Sequence, residues 1–203
     1  MSMEIKKYLY HPINSVMYVM VEDNNALVID PNVSEEAEQY MDLRRVNNVL
    51  IILTHEHCDH ITGVNRLKEK YNAKILCSQK CAEGIQDSHS NLSAFYNILI
   101  GDKKWDCEMK PFVCNADSTF EQQLEYDWGE HHLVLHETPG HSKGSICILM
   151  DGKYFFTGDS LIPRIEVTTK LPGGSKKQYR EITRPYLDYV INGRIEILPG
   201  HEI

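Results

Sequence analysis

A short apolar run leads directly into a dense group of metal-ligand side chains. Residues 49–53 read Val-Leu-Ile-Ile-Leu, and residues 54–60 read Thr-His-Glu-His-Cys-Asp-His. An apolar run of this length is typical of a buried strand, so the polar loop begins where that strand ends. Packing alone rarely explains a cluster of histidines directly after such a strand. Neutral imidazole and carboxylate are ligands that zinc and iron accept. The chain is therefore expected to fold around a buried strand with a cation site at its end.

The spacing within this loop predicts how the ligands divide. Alternate side chains of a loop that leaves a strand can turn inwards, so His55 and His57 can meet one cation, while Asp59 and His60 can turn towards a second. Cys58 lies between these ligands, and its side chain is expected to point away from them.

Three later segments place one more ligand-type residue each on a glycine-containing loop. They read Thr-Pro-Gly-His at 138–141, Thr-Gly-Asp-Ser at 157–160 and Leu-Pro-Gly-His at 198–201. Each follows a predicted strand, and strand ends on one sheet edge converge on a site. His141, Asp159 and His201 are therefore candidates for the same site as the first loop.

The rest of the pattern predicts one α/β or α+β domain. Strands are predicted at 15–21, 26–29, 49–53, 74–77, 132–136, 145–150, 153–157 and 195–198, and helices at 34–45, 62–71 and 178–189. Residues 78–125 have no clear period beyond a weak helical pattern up to residue 99. At roughly 150 residues per domain, residues 1–203 are expected to form a single domain.

The motif order His-x-His-x-Asp-His, Pro-Gly-His, Gly-Asp, Pro-Gly-His resembles the metallo-beta-lactamase superfamily, most closely its single-domain glyoxalase II-like (hydroxyacylglutathione hydrolase-like) branch. The resemblance covers about residues 13–201. It implies a four-layer αββα sandwich with two metal ions at one edge between the sheets. Carried over by position, it implies His55, His57 and His141 on the first metal, Asp59, His60 and His201 on the second, and Asp159 as a bridge.

The residue types at these positions disfavour some branches of the superfamily. True beta-lactamases have Cys or Ser where this chain has Asp159, and flavodiiron oxidoreductases have Glu where it has His57. Persulfide dioxygenases share the first motif and the Ile-Thr-Gly at 61–63. They usually carry a Gly-Arg-Thr-Asp stretch after Gly-Asp, whereas this chain keeps only Leu-Pro-Gly-Gly at 171–174. Antibiotic hydrolysis and the flavodiiron branch are therefore disfavoured.

The resemblance implies hydrolysis of a small acyl thioester or ester by a metal-bound hydroxide that Asp59 orients. Two divalent ions are expected, Zn²⁺ first, with Fe or Mn as alternatives. The other interpretations are an iron-dependent persulfide dioxygenase-like oxidoreductase, a lactonase or phosphodiesterase, and a non-catalytic metal-binding module. Full-length glyoxalase II enzymes hold glutathione with a C-terminal helical domain, and this chain ends two residues after His201, so weak glutathione binding is expected. Basic residues that could meet an anionic substrate are Arg164, Lys170, Lys176 and Lys177.

Charge and hydropathy limit the partners. The chain has 21 Lys plus Arg against 29 Asp plus Glu, a net charge of −8, which disfavours nucleic acid because phosphate binding relies on clustered cations. No apolar run approaches the ~20 residues of a membrane-spanning helix. The N-terminal residues lack the apolar core of a secretory signal, so a cytoplasmic protein with six reduced cysteines is expected. A small-molecule substrate is the expected partner, and a homo-oligomer stays open.

Overall fold

Two β-sheets form the centre of the computed structural model, which describes residues 3–11, 13–99, 109–191 and 194–202. The first sheet consists of Lys6–Tyr10 (β1), Ser15–Glu22 (β2), Asn25–Ile29 (β3), Asn48–Ile52 (β4), Lys74–Ser78 (β5) and Ser118–Phe120 (β6). Its spatial order is β1-β2-β3-β4-β5-β6. The first three strands are antiparallel, and β3 to β6 are parallel.

The second sheet is mostly antiparallel. It consists of Gln123–Trp128 (β7), His131–Glu137 (β8), Ile146–Met150 (β9), Tyr154–Gly158 (β10) and Glu196–Pro199 (β11). Its order is β11-β10-β9-β8-β7, with only β10 and β11 parallel. The β9–β10 turn contains Asp151 and Gly152, both at positive φ. Asp-Gly favours that conformation in hairpin turns, and here it connects β9 to β10.

Helices lie on the outer faces of both sheets and within the connecting loops. They are Glu35–Leu43 (α1), Val64–Tyr71 (α2), Gln79–Ile85 (α3), Tyr96–Leu99 (α4), Lys176–Gln178 (α5) and Arg184–Val190 (α6), with a π-helical turn at Tyr179–Thr183 between the last two. The Oγ of Ser34 accepts a hydrogen bond from the Ala37 amide and caps α1, as the Ser-Glu-Glu pattern predicts. None of the helices in the described ranges is long and apolar enough to cross a membrane.

Alternating side chains of the strands produce the layers. In β4, Val49 and Ile51 pack with apolar residues of α1, α2 and α3, whereas Ile52 faces the second sheet. In β10, Phe156 lies between the sheets, and Phe155 packs on the outer face with Leu187 of α6. Successive strand residues point to opposite faces, so each sheet is buried on both sides. The four-layer αββα sandwich is confirmed.

The sequence pattern missed three strands. Strand β1 has only partly buried or exposed residues, and β6 has three residues. Strand β7 lies at the edge of its sheet, and four of its six residues are exposed, so its apolar alternation is too weak to detect. Five cysteines of the described residues are free, namely Cys58, Cys77, Cys81, Cys114 and Cys147. Cys107 lies outside the described residues.

Candidate metal centre

The ends of several strands meet at one edge of the two sheets. The Ile146 amide at the start of β9 donates to the Thr54 carbonyl just after β4, with an N to O distance of 2.7 Å. The Gly200 amide donates to the Gly158 carbonyl at 2.8 Å, and the Val16 amide of β2 donates to the Gly200 carbonyl at 2.8 Å. These bonds join loops of both sheets, so the four sequence motifs lie side by side.

Three buried histidines form the first ligand set. His55 and His57 follow β4, and His141 lies on the loop between β8 and β9. One nitrogen of each lies within 4.8 Å of the others. The Nδ1 of His57 and the Nε2 of His141 are 3.0 Å apart. Three imidazole nitrogens at this separation are the donor set of an open zinc site.

The second ligand set contains Asp59, His60 and His201, whose ligand atoms also lie within 4.8 Å of one another. The Nε2 atoms of the two histidines are 3.2 Å apart. The Oδ2 of Asp59 lies 3.1 Å from the Nε2 of His60 and 3.3 Å from that of His201. One carboxylate and two imidazoles thus converge beside the first set.

Asp159 lies between the two sets. Its Oδ1 is 3.5 Å from the Nε2 of His60, and its Oδ2 is 3.4 Å from the Nε2 atoms of both His141 and His201. This carboxylate therefore contacts one member of the first set and two members of the second. The resemblance implies a bridging role for Asp159, and that role stays a prediction.

Buried polar atoms test whether cations suit this site. The Nε2 of His55 and the Oδ1 of Asp159 are buried without a hydrogen-bond partner among the described residues, as is the Nε2 of His57. A buried polar group without a partner costs about 1 to 3 kcal/mol. A cation held by His55 and a cation held by Asp159 would satisfy two of these atoms, so the residues fit a metal pair.

Backbone carbonyls and a hydroxyl hold the rear nitrogens of three histidines. The Nδ1 of His141 donates to the Thr168 carbonyl at 2.9 Å, and that of His201 donates to the Ile13 carbonyl at 2.9 Å. The Nδ1 of His55 lies 3.1 Å from the Oγ1 of Thr54. Such outer partners fix the tautomer and ring orientation of a metal ligand, and they leave each Nε2 facing the site.

Asp30 contacts the candidate site, and the sequence reasoning missed it. It is buried at the end of β3 with φ of +51°, and it accepts hydrogen bonds from the amide and the Oγ1 of Thr54 at 2.7 and 2.5 Å. Its Oδ2 also lies 3.1 Å from the Nδ1 of His60. Sequence reasoning interpreted Asp30-Pro31 only as a strand stop. An available signal was its position at the exit of an apolar strand, as in the other four motifs.

Burial and neighbouring charges divide the histidines into two classes. Burial lowers the pKa of His55 well below its ordinary value, and burial together with His141 lowers the pKa of His57 to about 3. Burial opposes the charged form of His60 and His201 too, but nearby aspartates raise the pKa of His60 well above its ordinary value and that of His201 to about 10. His55 and His57 are therefore neutral, as ligands must be, and a cation entering the second set would displace protons.

The two side chains between the ligands of the first motif point elsewhere. Cys58 is buried against Leu92 and Tyr96, and burial raises the pKa of its thiol. This placement agrees with the expected orientation of Cys58. Glu56 is buried too, and its Oε2 accepts hydrogen bonds from the Oγ of Ser142 at 2.7 Å and the Gly144 amide at 3.2 Å.

The basic residues predicted to meet substrate are all exposed. Arg164 and Lys170 lie on the loop after β10, and Lys176 and Lys177 lie in α5. Two other parts of this loop contact the site: the Thr168 carbonyl binds His141, and Leu171 packs near Cys58. A substrate role for the four cations stays a prediction.

Comparison with known proteins shows the family. The metallo-beta-lactamase superfamily matches residues 11–199. That match covers most of the sequence, and the chain belongs to this superfamily.

Two curated relatives are named as a metallo-hydrolase and a hydroxyacylglutathione hydrolase. The protein named "Probable metallo-hydrolase YqgX" of Bacillus subtilis (strain 168) is 28% identical over 168 residues, covering 82% of this chain and 75% of the relative. The hydroxyacylglutathione hydrolase of Francisella philomiragia is 26% identical over 161 residues, covering 78% of this chain and 52% of that enzyme. The chain spans about half the length of that second relative.

Solved structures share the fold. The BLEG-1 B3 metallo-beta-lactamase superposes with a TM-score of 0.81 at 22% identity, covering 98% of this chain and 92% of that chain. TTHA1623, in a di-iron-bound form, gives a TM-score of 0.77 at 20% identity with the same coverage of 98% and 92%. These likenesses confirm the expected metallo-beta-lactamase fold.

Proposed function

We propose that this chain is a dinuclear metal-dependent hydrolase of a small acyl thioester or ester. The observation that carries the proposal is the position of Asp159, whose carboxylate contacts His141 of the first set and both histidines of the second. His55, His57 and His141 would hold one divalent cation, and Asp59, His60 and His201 the other. Zn²⁺ is the first choice, because imidazole and carboxylate oxygen are among its usual ligands.

A bound cation pair would supply an activated water and a polarised carbonyl. Asp59 is proposed to accept a hydrogen bond from the attacking water and so to orient it. Burial favours the protonated form of Asp59, but His60 and His201 outweigh this and hold the pKa of its carboxyl well below the usual range. Its oxygens therefore remain acceptors at neutral pH.

An apolar cluster beside the second set supports a small acyl substrate. Cys58, next to Asp59 in the chain, is buried with Leu92 and Tyr96, and partly buried side chains pack against these three: Tyr10, Ile13, Met109, Phe112 and Leu171. The Ile13 carbonyl also binds His201, which places the β1–β2 loop at the site. The partly buried side chains of this cluster could cover an acyl chain and exclude water.

The location in the cytoplasm and the small-molecule partner remain predictions, and the oligomeric state stays open.

A substrate panel tests the reaction class. After loading with Zn²⁺, Mn²⁺ or Fe²⁺, the best rates are expected on a short acyl thioester or ester, with little activity on a beta-lactam or a polynucleotide. The net charge of −8 repels polyanions at long range. The panel also contains a glutathione thioester. The measurement is kcat/KM on both thioesters, a lactone, a phosphodiester, a beta-lactam and a persulfide.

Hydrolysis of other substrates and oxidation of a persulfide would give different results in this panel. Phosphodiester or beta-lactam cleavage that exceeds all acyl hydrolysis by tenfold would overturn the proposal. Oxygen consumption with the persulfide at such a rate would favour the persulfide dioxygenase-like alternative instead.

A further inference from the structure

Glu56 lies between two proposed metal ligands in the chain, yet it makes its contacts on a different loop. Its side chain is buried at 4% exposure. Its Oε2 accepts hydrogen bonds from the Oγ of Ser142 and the amide of Gly144. Both donors belong to the loop that carries His141. The side chain thus links the two loops that form the first ligand set.

These two loops come from different sheets. His55 and His57 follow β4 of the first sheet, whereas His141 lies between β8 and β9 of the second. A cation held by all three histidines requires the sheets to keep one separation at this edge. The Oε2 of Glu56 accepts one bond from a hydroxyl and one from a backbone amide, so it ties both a side chain and the main chain of the second loop.

Close packing leaves Glu56 little freedom. A Cβ on Gly144 would lie 2.6 Å from its Oε2 and 2.4 Å from the Cys81 backbone nitrogen, so only glycine lets the loop approach. A Cβ on Gly84 of α3 would lie 2.7 Å from the Cγ of Glu56. The loop itself is further fixed by the Oγ of Ser78, which donates to the Gly144 carbonyl at 2.8 Å. Glu56 is therefore packed closely on two sides, by Gly84 of α3 and by Gly144 of the His141 loop.

We propose that Glu56 is a positioning residue that holds His141 at the distance from His55 and His57 which a single cation requires. This inference rests on the metal centre of the proposed function and not on the substrate. Without the carboxylate, the Gly144 amide loses its acceptor and the Ser142 hydroxyl keeps only Ser145 as a partner, so the His141 loop is no longer tied to the first motif. Loss of a direct outer partner of a metal ligand typically lowers metal affinity by about 10- to 100-fold. Glu56 bonds the residues that follow His141 and not its ring, so a loss near the lower end of that range, about tenfold, is expected on the first set.

The test measures Zn²⁺ affinity by competition with a chelating dye, in a His201→Ala background that weakens the second set and keeps the three histidines. Glu56→Met fills a similar volume without an acceptor and is expected to lower affinity by about tenfold, near the lower end of the range for direct outer partners of a ligand. Glu56→Gln retains an acceptor oxygen and is expected to recover most of that loss. Glu83→Met is the matched control, because Glu83 is an exposed residue of α3 paired with Lys80, and its affinity should equal that of the background.

The outcomes separate this inference from the proposed function. Unchanged affinity in Glu56→Met, or equal loss in Glu56→Met and Glu56→Gln, would overturn the positioning role. If Glu56→Met does not fold, Ser142→Ala decides: a smaller loss of affinity supports the role, and unchanged affinity refutes it. If the background protein binds no Zn²⁺ although it folds, the metal centre itself is wrong, and the inference fails with it.

Discussion

Replacing Asp159 with alanine is expected to lower the rate of hydrolysis by two to four powers of ten, or about 3 to 5 kcal/mol of transition-state stabilisation. Its carboxylate lies within 3.5 Å of a nitrogen of His60, His141 and His201. The substitution removes the group that both ligand sets share. The measurement is kcat/KM on the best substrate of the panel, with metal content determined on the same sample.

Cys58→Ala is the matched control for Asp159→Ala. Cys58 lies between two proposed ligands in the chain, but its side chain packs against Leu92 and Tyr96. Truncating it removes one buried sulfur from an apolar cluster, so a small loss of stability and no comparable loss of activity are expected. Equal damage by the two substitutions would show that Cys58 takes part in the site and that the assigned orientation of the first motif is wrong.

The second large effect is expected at Asp30. Asp30→Ala removes the acceptor for the Thr54 amide and hydroxyl and frees the Nδ1 of His60. Because His60 then loses the partner that orients its ring, metal affinity of the second set is expected to fall by about 10- to 100-fold. The buried Thr54 amide without a partner should lower the free energy of unfolding by about 1 to 3 kcal/mol. Metal titration and urea unfolding of the metal-free protein measure the two effects separately.

Asp23 supplies the control for Asp30→Ala. It is also an aspartate at φ of +51°, but it is exposed in the β2–β3 turn. Asp23→Ala places alanine in the same unfavourable backbone conformation, at a position away from the site. A loss of metal affinity in Asp23→Ala as large as in Asp30→Ala would mean that backbone strain, and not the contact with His60, causes the effect.

The convergence of the candidate ligands on one edge could be predicted because their positions follow from strand geometry. Each motif follows a strand, and the ends of β4, β10 and β11 meet at one edge. The uninterrupted apolar run at 49–53 likewise predicted the buried strand β4. These features depend on local periodicity, which a single sequence contains.

What the sequence could not show depends on contacts between distant segments. The carbonyls of Thr168 and Ile13 hold His141 and His201 through backbone atoms, and a backbone acceptor has no side-chain signature. Asp30 has the same appearance in sequence as any aspartate that ends a strand before proline. The bonds of Glu56 join residues 86 and 88 positions apart, so only the packing of the two sheets reveals them.

The most direct test of the account is the number of metal ions bound per chain. The purified protein should be stripped, reconstituted separately with Zn²⁺, Mn²⁺ and Fe²⁺, freed of excess ion and analysed for metal and protein on the same sample. The account predicts two ions per chain with at least one of these metals, because two ligand sets share Asp159. A folded protein that never exceeds one ion per chain under any of these conditions would contradict it.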